Sequence, residues 1–202
     1  MWCSLRCALS KERTAYAILG LLVLTLWLPR FQGPIDLRWD GGVYYVLGTS
    51  LAEGKGYRLL NEPGEIQANQ YPPLFPLIIA AHQLVLGTSD PIVVGRLLRF
   101  SSFVAFMAYI FAIHALMRQQ LSSAFAFWGT VVALLNVHTY FLSDLCFPDM
   151  LYGFLTVGFL LVYGREARTP SSAWAGAVAI AAFALRTAGI ALLVAWIGEG
   201  LV

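Results

Sequence analysis

Charged residues are scarce in this chain. Asp, Glu, Lys and Arg make up 12% of its 202 residues, while 59% of the residues are hydrophobic. Such a composition lies outside the range of soluble domains and predicts an integral membrane protein. The net charge is only +2, and the basic residues stand near the ends of apolar segments instead of forming a run. We therefore expect no nucleic-acid partner.

Cysteine and histidine are also sparse, and neither type is spaced as a metal site requires. Structural thiols and packed imidazoles are the expected roles. The residues concerned are Cys3, Cys7, Cys146, His82, His114 and His138. The chain also lacks an Asn-x-Ser/Thr acceptor and a eukaryotic retention signal at its end. These two absences favour a bacterial inner membrane as the location.

The first apolar run, residues 14–31, is long enough to cross a membrane. Arg6, Lys11 and Arg13 precede it, which predicts a cytoplasmic N-terminus. Residues 32–71 then form an extracytoplasmic loop. The next apolar run, residues 72–86, makes roughly 24 Å of helix, which is short of the roughly 30 Å hydrocarbon core.

Four longer apolar runs follow and are predicted to be spans: residues 92–117, 121–142, 146–163 and 172–197. The connections that carry Arg118 and Arg165 favour the cytoplasm. The 72–86 segment must then begin and end outside, as a juxtamembrane or re-entrant helix. The fold class predicted is all-α, a multi-pass transmembrane helical bundle. It forms one membrane domain, residues 1–202, with juxtamembrane helices in the first outer loop.

The first outer loop opens with a candidate catalytic carboxylate. Asp40 and Tyr44 are four residues apart, so they share one face of a helix predicted over residues 40–51. Gly54 and Gly56 are expected to end that helix. The alternative is that Asp40 only caps the helix, because an aspartate ahead of an apolar run is a common N-terminal signal.

A second acidic element lies at residues 143–150, where Asp144 and Asp149 flank a membrane boundary. The positions of the spans place this turn in the same compartment as the first loop. In the alternative interpretation, Ser143 or Asp144 caps the following helix and Asp149 is a first-turn acid favoured by the helix dipole.

Arg186 lies near the middle of the predicted 172–197 span. A charged side chain at that depth costs roughly 2.5–3.5 kcal/mol unless it meets water or a partner, so we interpret it as a functional residue. The alternative is that the chain breaks at residues 186–189 and the guanidinium reaches an interface.

The order of these motifs resembles the C-type (GT-C) membrane glycosyltransferases, in particular protein O-mannosyltransferases and lipid A aminoarabinose transferases. The resemblance extends over nearly the whole chain, which is similar to the N-terminal part of such enzymes. It departs from the family at Tyr71, where many aminoarabinose-type relatives carry lysine. The motifs are Asp40-x-x-x-Tyr44, Gly54-x-Gly56-Tyr57, Pro72-Pro73-Leu74-Phe75-Pro76 and Arg96-Leu97-Leu98.

The resemblance implies sugar transfer from a polyprenyl-phosphate donor to a lipid, glycan or protein acceptor on the outer face of the membrane. Asp40 matches the essential acid and would act as base or metal ligand. Asp149, with Asp144 as its rival, would orient the acceptor or a divalent metal shared with Asp40. Arg186 would bind the donor phosphate. Tyr44, Lys55 and Arg58 would line the entrance.

Two other interpretations stay open. In the first, the chain is an inactive truncated fragment of such an enzyme. In the second, it is a non-enzymatic membrane or transport component whose Arg186 and acidic loops form an ion or substrate path. In each interpretation Arg186 and Asp149 need either water or a partner chain around them, and a partner chain would also complete the fold.

Overall fold

The computed structural model of the protein describes residues 2–166 and 173–199, and the side chains of residues 12–163 and 173–198. All regular secondary structure in these ranges is helical, which confirms the all-α prediction. Two isolated β-bridges, Asp36 with Leu145 and Arg58 with Gln67, occur outside the helices. The α-helices are α1 (Trp2–Trp27), α2 (Asp40–Ala52), α3 (Leu74–Leu86), α4 (Pro91–Gln120), α5 (Ser123–Leu135), α6 (Val137–Asp144), α7 (Asp149–Glu166), α8 (Ala173–Leu185) and α9 (Ile190–Glu199).

Two helical segments are long and apolar enough to cross a membrane. They are Glu12–Gln32, which continues α1 through a 3₁₀ turn, and Pro91–Gln120, which is α4. Helices α5 and α6 meet the same criterion only as a pair, bent by 56°. The molecule therefore has two or three candidate spans by length and composition.

The span predicted over residues 121–142 is not one continuous helix, and it is a span only if the bent pair α5–α6 crosses as a unit. Asn136 interrupts it, because its backbone leaves the helical region and its side chain accepts hydrogen bonds from the amides of His138 and Thr139. An asparagine that satisfies the first amides of a helix starts a new helix. The chain bends there into α6.

Helix α3 is apolar but shorter than a span. Helix α3 has 13 residues and ends at Gly87, which adopts a left-handed conformation with φ 63°. This agrees with the prediction that residues 72–86 do not cross. Helix α7 extends to Glu166, and its part with described side chains, Asp149–Tyr163, is an apolar helix.

The predicted span over residues 172–197 is also wrong, although residue 172 itself lies outside the described residues. Helix α8 ends at Leu185, Arg186 is extended, and a 3₁₀ turn at Thr187–Gly189 leads into α9. Helix α9 folds back on α8, since Gly189 packs on the backbone of Ala182 and Phe183. At the other end of the pair, Gly176 faces the ring of Trp196. The alternative interpretation, a break at residues 186–189, is confirmed.

A buried cluster joins the elements that carry the candidate site. It contains residues from α2, α3, α4, the α6–α7 loop and the end of α8, so five parts of the chain are fixed relative to one another. Its buried members are Tyr44, Tyr45, Phe75, Ile79, Val94, Leu98, Cys146 and Leu185.

Candidate functional site

Helix α2 presents Asp40 at its first residue. The N-cap is Trp39, which makes no side-chain capping bond, and the first turn is closed by the Gly41 amide donating to the Arg38 carbonyl at 3.1 Å. The interpretation of Asp40 as the cap is therefore wrong. Asp40 is exposed, and its Oδ1 lies 3.5 Å from the Tyr71 hydroxyl that donates to it.

Tyr44 lies one turn after Asp40, as predicted, and its ring is buried. It packs edge-on against Tyr71 and Phe75, with ring centroids 5.3 Å and 5.4 Å away. Burial raises the pKa of Tyr44, the charge of Asp40 raises it further, and the guanidinium of Arg186 opposes both. Both Asp40 and Arg186 therefore lie close enough to act on this one hydroxyl.

Asp149 and Arg186 form an ion pair. Asp149 opens α7 directly after Pro148, which confirms its position as a first-turn acid. Arg186 Nη1 donates to Asp149 Oδ1, and the two side chains are 47% and 17% exposed. Because Leu185 is buried in the same cluster as Tyr44, the pair lies beside α2. Asp40, Tyr44, Asp149 and Arg186 thus gather in one region.

The two acidic loops lie side by side. The backbone of Asp36 forms a parallel bridge with Leu145, and its carbonyl accepts from the Cys146 amide at 3.1 Å. A Cβ on Gly41 would lie 3.5 Å from the Cβ of Cys146. This juxtaposition holds α2 against the loop that begins α7. The compartment that the loops face stays a prediction.

Asp144, the rival to Asp149, lies in a different cluster. It is the last residue of α6, so it does not cap α7, and its oxygens lie 3.3 Å from Arg99 Nη1 and 3.9 Å from Arg30 Nη1. Arg99 is buried and donates to the carbonyls of Arg30 and Pro34. Asp144 therefore ties the 3₁₀ turn after α1, which contains Arg30, to α4 and α6.

Sequence reasoning missed Arg99 and Arg30. The signal was present, because Arg99 lies inside the apolar run of residues 92–117, where an arginine needs a partner just as Arg186 does. The acid to which it is paired is 45 positions away and is not predictable from spacing.

Lys55 and Arg58 make their described contacts within the first loop. Lys55 Nζ lies 3.0 Å from Glu53 and 3.7 Å from Glu65. Arg58 donates to the carbonyls of Lys55 and Glu65 at 3.1 Å and 3.2 Å. These bonds close the turn that Gly54 and Gly56 begin with φ of 70° and 81°. The role of Lys55 and Arg58 at an entrance stays a prediction.

Tyr57 connects this turn to the site. Its hydroxyl donates to the carbonyls of Tyr71 and Pro72 at 3.0 Å and 3.3 Å. Burial, with a smaller effect from Tyr44, raises the pKa of Tyr57 to about 12. The neutral phenol therefore holds Tyr71, which in turn donates to Asp40.

A metal ion shared by Asp40 and Asp149 would lie beside the guanidinium of Arg186. No group of three or more His, Cys, Asp or Glu within the described parts of the chain is placed to hold a metal ion. Asp149 already accepts from Arg186, whose positive charge opposes a divalent ion beside it. We therefore derive no step through a metal, and the metal stays a prediction.

An apolar cavity of about 290 Å³ opens next to the site. Phe75 and Cys146 belong both to its lining and to the cluster around Tyr44, and Met150 follows Asp149 directly. From there the cavity follows α4 as far as Ala108. Its lining is mostly hydrocarbon, interrupted by the polar side chains of His82, Ser101, Ser102 and Ser143, and His82 Nε2 lies 2.7 Å from Ser101 Oγ.

Comparison of the chain with protein-family models, with curated proteins and with solved structures found no match.

Proposed function

We propose that the protein transfers a sugar from a polyprenyl-phosphate donor to a lipid, glycan or protein acceptor on the extracytoplasmic face of a bacterial inner membrane. The observation that supports this most is the meeting of Asp40 and Tyr44 on α2 with the Asp149–Arg186 pair between α7 and α8. The exposed carboxylate of Asp40 and the guanidinium of Arg186, both near the Tyr44 hydroxyl, provide a base and an anion-binding group.

The reaction needs one proton acceptor and one site for a leaving phosphate. Asp40 takes the proton from the acceptor hydroxyl as that oxygen bonds to the anomeric carbon. The bond from the anomeric carbon to the phosphate oxygen breaks, and polyprenyl phosphate leaves with the electron pair. Arg186 donates to Asp149 through Nη1, and its guanidinium has further N–H groups that can donate to that phosphate.

Asp149 positions Arg186 in this proposal. Its carboxylate is 17% exposed and accepts directly from Arg186 Nη1, so it limits the rotamers of a long and flexible side chain. Tyr71 acts in the same way on Asp40, with Tyr57 holding the backbone of Tyr71. Substrate orientation of this kind contributes a large part of the rate in transfer reactions.

The cavity beside α4 suits the hydrocarbon part of the donor. Its residues Phe75 and Cys146 share a buried cluster with Leu185, which directly precedes Arg186, and most of its wall is apolar. A lipid phosphate placed at Arg186 would therefore extend its first isoprene units along α4. An aqueous sugar phosphate gains nothing from that wall, which favours a lipid-linked donor.

The test is release of undecaprenyl phosphate from undecaprenyl-phosphate-linked mannose, glucose and aminoarabinose by the protein in nanodiscs. We expect turnover with one of these donors and a loss of roughly 10²–10⁴-fold in Asp40→Asn. Arg186→Met should also lose turnover, whereas Glu62→Gln, in an exposed part of the loop, should not. Wild-type rates in Asp40→Asn would refute the assignment.

A second experiment tests the compartment. Single cysteines at Gly64 and Gln120, both exposed, are offered a membrane-impermeant maleimide from the outer face of intact cells, in a chain without Cys3, Cys7 and Cys146. The proposal predicts labelling at residue 64 and protection at residue 120. The opposite pattern would place the site in the cytoplasm and contradict the use of an outer-face donor.

A further inference from the structure

Trp39 has a backbone conformation that bulky residues avoid. Its φ is 51° and its ψ is −131°, a region normally occupied by glycine. Only Trp39 and Glu65 have positive φ among the non-glycine residues that the structure describes. The strained residue immediately precedes Asp40, and 63% of its surface is exposed. A strained, solvent-facing indole beside a candidate base is a feature of binding sites.

Neighbouring side chains fix the indole in place. Arg38 lies over the Trp39 ring at 5.2 Å, and Asp36 anchors Arg38 through contacts of 2.5 Å and 3.0 Å. Phe141 of α6 meets the indole edge-on at 5.8 Å. Because Phe141 and Asp144 are three residues apart on α6, they lie on the same face of that helix. The indole therefore packs on the face of α6 that also carries Asp144.

A pocket lies beside Arg38, the residue that covers part of the Trp39 ring, and Pro34, Ile35 and Leu37 form its apolar wall. It has a volume of about 430 Å³ and contains the two carboxylates and two guanidiniums of Asp36, Arg38, Arg99 and Asp144. The charges of these four groups cancel, so the pocket does not favour an anion or a cation. Arg99 is 6% exposed, and its Nε has no hydrogen-bond partner within the described residues. A neutral ligand can reach a donor on Arg38 and an acceptor on Asp144, whose side chains are 63% and 27% exposed.

We infer that Trp39 and this pocket bind the carbohydrate part of the acceptor, an assignment that rests on the proposed function. The C–H face of a pyranose would lie on the indole, and its hydroxyls would donate to Asp36 or Asp144 and accept from Arg38. These are the contacts that a neutral polyol makes with charged side chains. Since Asp40 follows Trp39 directly, a sugar bound there presents a hydroxyl to the base.

The test is saturation-transfer NMR on the intact protein in nanodiscs. The probes are the methyl glycosides of glucose, mannose and galactose. We expect transfer to the ring C–H protons of at least one glycoside, and an affinity roughly tenfold lower in Trp39→Gly. Glycine also relieves the backbone strain, so this variant should be as stable to heat as the wild type or more so. Trp128→Ala is the control, because Trp128 is similarly exposed, at 64%, but lies on α5.

The outcomes separate this site from the proposed function. Saturation transfer that is lost in Trp39→Gly but retained in Trp128→Ala supports the sugar site, whether or not donor turnover is found. Absence of transfer to all three glycosides, or equal binding in Trp39→Gly, overturns the site. If Trp39→Gly is instead less stable in nanodiscs but not in detergent, Trp39 is a bilayer anchor and the inference is wrong.

Discussion

Replacing Gly189 by alanine tests the hairpin that carries Arg186. The added Cβ would lie 2.4 Å from the amide nitrogen of Phe183 and 2.5 Å from the carbonyl carbon of Ala182. Both atoms belong to the backbone of α8, so neither moves aside by a change of rotamer. The contact reaches ordinary packing distance only if α9 moves away from α8 by about 1 Å. Overpacking of this kind costs roughly 1–3 kcal/mol in unfolding free energy. Because the backbone of α8 cannot move aside, we expect a loss near the upper end, about 3 kcal/mol.

The assay is unfolding of the protein in mixed micelles with increasing denaturing detergent, followed by circular dichroism. Gly158→Ala on α7 is the matched control, since a Cβ at Gly158 meets no atom within 4 Å. This control should be neutral or more stable by roughly 0.5–1 kcal/mol, because alanine favours a helix over glycine. If Gly189→Ala is as stable as Gly158→Ala, α9 does not fold back on α8, and the placement of Arg186 is wrong.

Three further predictions concern the site and its supports. Folding raises the pKa of Tyr57 from 10.0 to about 12, so its contribution to the free energy of unfolding is complete below pH 10 and is lost as the pH rises towards 12. Tyrosinate absorbance should show one tyrosine that titrates late, and Tyr57→Phe should remove that titration. Burial raises the pKa of the Cys146 thiol to about 12, so maleimide should label it far more slowly than an exposed cysteine at neutral pH, and rapid labelling in a Cys3→Ser, Cys7→Ser chain would contradict its burial. A double-mutant cycle of Asp149→Asn and Arg186→Gln should give a coupling of about 1 kcal/mol in unfolding free energy, a value between those of surface and buried ion pairs. A coupling of zero would show that the pair does not form.

Helices and turns that are decided by residues adjacent in the chain were predictable from the sequence. The helix that begins at Asp40 and the glycine turn after it follow from an apolar run bounded by Gly54 and Gly56, and both occur where expected. The length of the apolar run alone predicts that α3 is too short to cross a membrane. In each case the residues that decide the structure are neighbours in the chain, so a sequence pattern contains the relevant physics.

The misses involve interruptions within uniformly apolar runs. One long helix and a helical hairpin have the same composition, and only Gly189 and the polar residues around it marked the turn in residues 172–197. Asn136 was a comparable mark in residues 121–142, since asparagine is a common N-cap. Apolar content measures compatibility with lipid and does not decide whether a chain continues or reverses.

The composition of the candidate site was only partly predictable. Spacing placed Asp40 and Tyr44 on one face, but the ion pair of Asp149 with Arg186 joins positions 37 residues apart. The assignment of Asp144 to a different cluster depends on Arg99, which reaches it from α4. Contacts between distant segments depend on how helices pack, and single-sequence patterns do not contain that information.

The most direct test of the assembled site is a disulfide between Gly41→Cys and the native Cys146, in a chain carrying Cys3→Ser and Cys7→Ser. The Cβ of residue 41 would lie 3.5 Å from that of Cys146, within the range of disulfides in proteins. Mild oxidation in nanodiscs should therefore close the bridge, detected by intact mass and by a cross-linked peptide. Gly158→Cys, with open space around it, should not cross-link to Cys146. Failure of residue 41 to cross-link under conditions that oxidise an exposed cysteine pair would separate α2 from the α6–α7 loop and contradict the shared site of Asp40 and Asp149.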